Sequence, residues 1–159
     1  MPGVRKYLAF LSLDIGRLEV RNGLDESIVP EQENAGMNTS QVIVQYLAAA
    51  GIRHIFGYPG DPSVEFLEAA RREGMHFVLS SREGTAGLTA EAYGQLTGRP
   101  GVCLSTLGPG STNLVNAVAN AYLDRVPMLA ISGQIERKRE PYFTHQVIDH
   151  NRLFSPISK

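Results

Sequence analysis

Four short strand-like runs that alternate with helical segments constrain this chain more than any other feature. Residues 52–56 (IRHIF), 75–80 (MHFVLS), 102–106 (VCLST) and 127–132 (PMLAIS) are short and mostly apolar. Helical spacing occupies 39–50, 62–73, 83–97 and 111–122, punctuated by Gly51, Gly74 and the turn 98–101 (GRPG). Strands and helices alternating across short turns require right-handed βαβ crossovers, and hence a parallel sheet. Continuously apolar strands suit a sheet covered on both faces. The expected class is therefore α/β, an open parallel sheet with helices on both faces. No internal repeat of fixed period is visible.

Local signals sharpen that reading. Thr39 or Ser40 is positioned to cap the first helix. Pro62 and Ser63 open the second, which should bury Val64, Phe66, Leu67 and Ala70. The third, 83–97, is dense in Ala and Gly, which permits close backbone approach. Ser111 or Thr112 is the expected cap of the fourth. Residues 133–144 read as a loop and 145–153 as a short helix.

The first 36 residues differ from the rest. Six acidic and four basic residues are scattered there, and 27–36 (SIVPEQENAG) reads as a polar linker. We read 1–36 as an N-terminal extension, disordered or upstream of a true start at Met37. A short element packed on the domain is the alternative. Residues 37–159 form the domain.

Composition excludes several function classes. The 159 residues carry 15 Lys+Arg against 16 Asp+Glu, a net charge of -1, with the signs interspersed. That argues against nucleic acid or an anionic membrane as partner. The basic run Arg137-Lys138-Arg139 is flanked by Glu136 and Glu140 and reads as a solvated loop. Cys103 is the one cysteine, so no internal disulfide forms, and its apolar surroundings mark a core residue. The four histidines show no metal-ligand spacing. No apolar stretch approaches the ~20 residues needed to span a bilayer. An apolar run at 7–13 follows Arg5 and Lys6, but Asp14 and Arg17 break any signal-peptide pattern. The expected compartment is the cytoplasm.

Two features carry possible chemistry. Glu83 stands where a strand-like run gives way to the small-residue helix. Residues 108–113 (GPGSTN) follow the third strand and open the next helix. In an open parallel sheet both face the crevice beyond the carboxyl ends of the strands. Each alone is ambiguous. An acidic residue in a first helical turn is favoured by the helix dipole, and a glycine-rich turn is as often a tight turn as a ligand cradle. GPGSTN is neither a Walker A loop nor GxGxxG.

Together they are more specific. The segments FGYPG (56–60), SREGTAGLTAEAYGQLTGRPGV (81–102) and STLGPGSTNLVNAVANAYLDRVPMLAISGQ (105–134) resemble the thiamine-diphosphate-dependent enzymes. The likeness is to their N-terminal, pyrimidine-binding domain, nearest the acetolactate synthase branch, and covers about 38–159. It implies the thiamine-diphosphate-binding fold, incomplete here at the C-terminus. It implies that Glu83 hydrogen-bonds the N1′ atom of the cofactor's aminopyrimidine and so activates the cofactor. Pro59, Gly60, Thr106, Pro109 and Asn113 would line that ring. Gln146 and Asp149 match the family's Phe-Gln-x-x-Asp segment, and Gln146 and His145 would reach substrate or intermediates. His145 stands where acetolactate synthases usually show Phe, and Asp61 where they show a third small residue. Decarboxylases of the wider superfamily carry a His-His pair near this point.

The resemblance further implies decarboxylation of a 2-oxo acid such as pyruvate, with transfer or protonation of the remaining fragment. That makes the chain part of a transferase or lyase. Family members hold the diphosphate and Mg²⁺ through a Gly-Asp-Gly motif in another domain, contributed by the neighbouring subunit of a homodimer or homotetramer. No Gly-Asp-Gly occurs here. Some relatives also hold FAD, on which this sequence is silent. The isolated chain is therefore expected to be inactive and to expose apolar surface where its partners pack. Two alternatives stay open: a non-catalytic truncated domain or assembly module, and an unrelated Rossmann-like nucleotide-binding domain.

Overall fold

The computed structural model describes residues 8–13, 36–136, 138–139, 141–142 and 144–159. In chain order the elements are β1 (Leu8–Leu13), α1 (Thr39–Ala49), β2 (His54–Gly57), α2 (Val64–Arg72), β3 (His76–Leu79), α3 (Glu83–Thr97), β4 (Gly101–Ser105), α4 (Pro109–Leu123), β5 (Met128–Gly133) and α5 (His150–Phe154). A single-turn 3-10 helix, Asp61–Ser63, precedes α2. All strands pair in parallel, in the order β1-β5-β4-β2-β3. The open α/β sheet expected from the sequence is what forms.

The alternation of side chains across the sheet divides the core in two. Ile55, Val102, Leu104 and Ile131 point to one face, where α1 and α2 cover them with Ile43, Val44, Phe66, Ala69 and Ala70. Phe56, Cys103, Met128 and Ala130 point to the other, beneath Ala86 and Ala90 of α3, Leu114 and Val118 of α4 and Phe154 of α5. Small residues bring α3 close. A Cβ on Gly101 would collide with the Ala90 backbone, and one on Gly87 would lie 2.5 Å from the Ala117 side chain.

Several local expectations are corrected. Asn38, not Thr39 or Ser40, caps α1, in a capping box with Gln41 worth about 1 kcal/mol. Val64 is 59% exposed, and Ala69 joins Phe66 and Ala70 in the core instead. Two residues before Phe66, Val64 lies on nearly the opposite side of the helix. Helix α4 begins at Pro109 after Gly108, so Ser111 and Thr112 lie inside the helix rather than capping it. Proline pre-sets the dihedral of a first helical residue and needs no N–H there. The final helix is confined to His150–Phe154, because Gln146 has a positive φ of 59° and Asp149 supplies the cap.

Strand β3 also departs from the expectation of two covered faces. It lies at the sheet edge with Val78 and Leu79 exposed. Within 1–36, Leu8–Leu13 forms the opposite edge and pairs along the whole of β5, from Met128 to Gly133. Residues 1–7 and 14–35 lie outside the described residues, as does most of that expected extension.

Candidate functional site

The strand order fixes where a site should be. From β2 the chain moves outward to β3, then returns to place β4 on the other side of β2 and continues to β5. The direction of winding therefore reverses between β2 and β4. Beyond the carboxyl ends of two such strands lies the crevice where open α/β sheets bind ligands. Residues 58–60 leave β2 there, and 106–110 leave β4 there.

Glu83 begins α3, which crosses from the edge strand β3 to lie over the central strands. Its side chain is 7% exposed. Asn113 of α4 donates from Nδ2 to Glu83 Oε2 at 3.0 Å. The other carboxylate oxygen faces the glycine turn: a Cβ on Gly110 would stand 2.8 Å from Oε1 and 2.5 Å from Thr106 Cγ2. Gly60, from the first turn, lies so close to Thr106 that a Cβ would overlap its hydroxyl. Ser63 braces that turn, accepting from the Gly60 N–H at 3.0 Å and donating to the Gly60 carbonyl at 2.7 Å. Glu83, Gly60, Thr106, Gly110 and Asn113 thus form one continuous surface. Pro59 and Pro109 sit exposed on the two turns.

Three serines anchor this surface from below; the sequence reading missed Ser105 and Ser132 and took Ser111 only as a possible cap. Ser105, Ser111 and Ser132 are fully buried. Ser111 bonds Ser132 directly and donates to the Thr106 carbonyl at 2.9 Å; Ser105 lies 3.4 Å from Ser111. The ends of β4 and β5 are thereby tied to the first turn of α4. A hydroxyl at each strand end was the available signal.

His150 is also missed by the sequence reading. It is 3% exposed, and its Nε2 accepts the Gly108 N–H at 3.1 Å across 42 residues of chain. Burial lowers its pKa below the ordinary imidazole value, opposed in part by the Asp149 carboxylate. Gln146 approaches the same glycine through its backbone: a Cβ on Gly108 would overlap the Gln146 carbonyl. His145 lies beside it on an exposed turn. Asp149 caps α5 by accepting the Arg152 N–H at 2.9 Å. Among the described residues no group of His, Cys, Asp or Glu could hold a metal ion. No described helix is long and apolar enough to cross a membrane.

Residues 37–153 match the family described as thiamine pyrophosphate enzyme, N-terminal TPP binding domain. This chain belongs to the thiamine-pyrophosphate enzyme family. Among curated proteins it is 38% identical over 123 residues to a probable acetolactate synthase large subunit of Methanocaldococcus jannaschii, covering 77% of this chain and 21% of that one. It is 40% identical over 122 residues to an acetolactate synthase of Arthrospira platensis, covering 74% and 21%. It is 35% identical over 120 residues to an acetolactate synthase of Bacillus subtilis, covering 76% and 21%. The chain thus spans about a fifth of the length of the curated relatives it matches. The match leaves the unrelated Rossmann-like reading without support.

The residues present fit the cofactor that the family name carries. A buried carboxylate has one oxygen held by Asn113. Its other oxygen faces a glycine where any side chain would intrude. The glycine lets the α4 turn approach Glu83 and Thr106 this closely, and the buried carboxylate offers a ring nitrogen a proton-accepting group.

Proposed function

We propose that this chain is the pyrimidine-binding part of a thiamine-diphosphate-dependent enzyme acting on 2-oxo acids, with acetolactate synthase-like carboligation as the first choice and simple decarboxylation as the second. The observation that carries the reading is the Glu83–Asn113 pair set against Gly110. When bound, thiamine diphosphate supplies the nucleophilic carbon and electron sink that decarboxylation of a 2-oxo acid requires. This chain's part is to bind and orient the ring and to manage one proton. Asn113 fixes Glu83 Oε2, which leaves Oε1 to hold the proton at the ring nitrogen N1′. Burial keeps that oxygen away from competing water. A positioned acid–base group of this kind contributes roughly 10²–10⁴-fold in rate. Thr106, Gly60 and Pro59 set the width of the slot, and Pro109 borders it. Gln146 and His145, on the segment that overlies Gly108, approach the substrate.

The diphosphate and Mg²⁺ need ligands from elsewhere, since the sequence contains no Gly-Asp-Gly. We assign them to a diphosphate-binding domain of a neighbouring subunit in a homodimer or homotetramer. Large apolar side chains left exposed on β3, α3 and α4 support a packing partner: Leu79, Leu88, Leu96, Tyr122 and Leu123.

The test is CO₂ release from pyruvate with thiamine diphosphate and Mg²⁺, by the full-length protein and by the 159-residue chain alone. Activity confined to the full-length protein and lost in Glu83→Gln is the expected result. Full activity in Glu83→Gln would sink the role of the glutamate. Turnover by the 159-residue chain would remove the need for a second domain.

A further inference from the structure

Gly108 is the pivot of the candidate site. Its φ of 59° and ψ of -116° form a backbone conformation open to glycine and to few other residues. Its carbonyl accepts the Thr112 N–H at 3.1 Å, starting α4, and two residues on Gly110 meets Glu83. The Gly108 N–H, by contrast, has no backbone acceptor among the described residues. It is satisfied by the imidazole of His150, which arrives from α5.

That bond specifies the state of the ring. Because Nε2 accepts, the neutral imidazole must carry its proton on Nδ1. Nδ1 is buried and has no hydrogen-bond partner among the described residues. An unsatisfied buried N–H is costly, and an apolar side chain of similar shape would avoid that cost. A histidine here is therefore explained by what Nε2 does. Burial favours the neutral, accepting form, although Asp149 opposes it. Four residues earlier the Gln146 carbonyl packs against the same glycine. The 146–150 segment thus grips Gly108 by a hydrogen bond and by van der Waals contact.

We infer that His150 is a positioning residue, which sets the Gly108–Gly110 turn against Glu83 and couples the segment bearing His145 and Gln146 to the cofactor slot. The coupling to the cofactor rests on the function proposed above; the grip on Gly108 does not.

The test uses the full-length protein, ¹⁵N-labelled, and thiamine diphosphate with Mg²⁺ as probe. Long-range ¹H–¹⁵N correlation of the ring should show the Nδ1–H tautomer, with Nε2 unprotonated. Gly108 should be protected from hydrogen exchange. His150→Phe should raise Gly108 exchange and weaken thiamine diphosphate binding, each about threefold to tenfold, the equivalent of one lost hydrogen bond. His150→Gln, whose amide oxygen can accept, should restore most of both. An Nε2–H tautomer in the wild type would overturn the inference without any variant, should His150→Phe fail to fold. Equal Gly108 exchange in wild type and His150→Phe would overturn it as well. Absence of thiamine diphosphate binding by the wild-type full-length protein would instead defeat the cofactor reading, while Gly108 exchange still decides the grip.

Discussion

Asn113 Nδ2 lies 3.0 Å from Glu83 Oε2, joining the start of α3 to the second turn of α4 across thirty residues of chain. The bond fixes which carboxylate oxygen stays available. Glu83→Gln keeps the shape and an acceptor for Asn113 but removes the acid–base function. Turnover should fall by roughly 10²–10⁴-fold with little change in the urea midpoint. Asn113→Ala should cost about 1 kcal/mol of stability and also weaken the cofactor, since Oε2 would be free to turn. Steady-state kinetics alongside urea unfolding separates the two effects. A Glu83→Gln protein with normal turnover would remove the carboxylate from the chemistry.

Gly110 supplies a prediction of opposite sign to the usual rule. Replacing glycine by alanine within a helix ordinarily stabilises by about 0.5–1 kcal/mol. Here the new methyl would press on Glu83 Oε1 at 2.8 Å and on Thr106 at 2.5 Å. Gly110→Ala should therefore raise the thiamine diphosphate concentration needed for half-maximal activity at least tenfold, with no gain in thermal midpoint. Unchanged cofactor dependence would show that the slot has more room than this contact allows.

How much of this was legible beforehand follows from range. The third helix was placed at Glu83–Thr97 because Glu, the Ala/Gly pattern and the closing Gly98 are all local signals. The parallel sheet followed from alternation. What escaped were interactions joining distant segments: Ser111 with Ser132, and Gly108 with His150. A single sequence carries no local mark of such partners. Helix phase was also misjudged where a 3-10 turn precedes α2, leaving Val64 outside. Convergence of Glu83 with the GPGSTN turn is anticipated from sheet topology, but Gly110, the residue that meets Glu83, is not singled out, because Glu83 reaches it from another helix.

Cys103 tests the core. It is fully buried in β4, and burial pushes its thiol up to about 12. At pH 8 the thiolate fraction would be roughly one in ten thousand in the folded chain, against about a quarter for an exposed cysteine. Labelling by an aromatic disulfide reagent should be slow in the native protein and rise with urea along the circular dichroism transition. Fast native labelling would mean that β4 opens far more readily than a central strand should.

His150 gives a pH dependence with a definite sign. Its pKa in the folded chain is lowered from the ordinary 6.5 by burial, with Asp149 opposing. The unfolded chain then binds a proton that the folded chain resists. Between 6.5 and the lower folded value the unfolded state holds more protons, so stability increases with pH. The contribution is complete above 6.5 and is lost as pH falls through that window. Protonation would also turn Nε2 from acceptor to donor, facing the Gly108 N–H. Urea unfolding at pH 7.5 and pH 5 should show the loss in the wild type. The chain holds three other histidines, so the comparison must be with His150→Gln. That variant should lose less stability on acidification than the wild type. An equal loss in both would mean that the ring is already accessible to protons in the folded chain, and that the Gly108 bond does not depend on its charge.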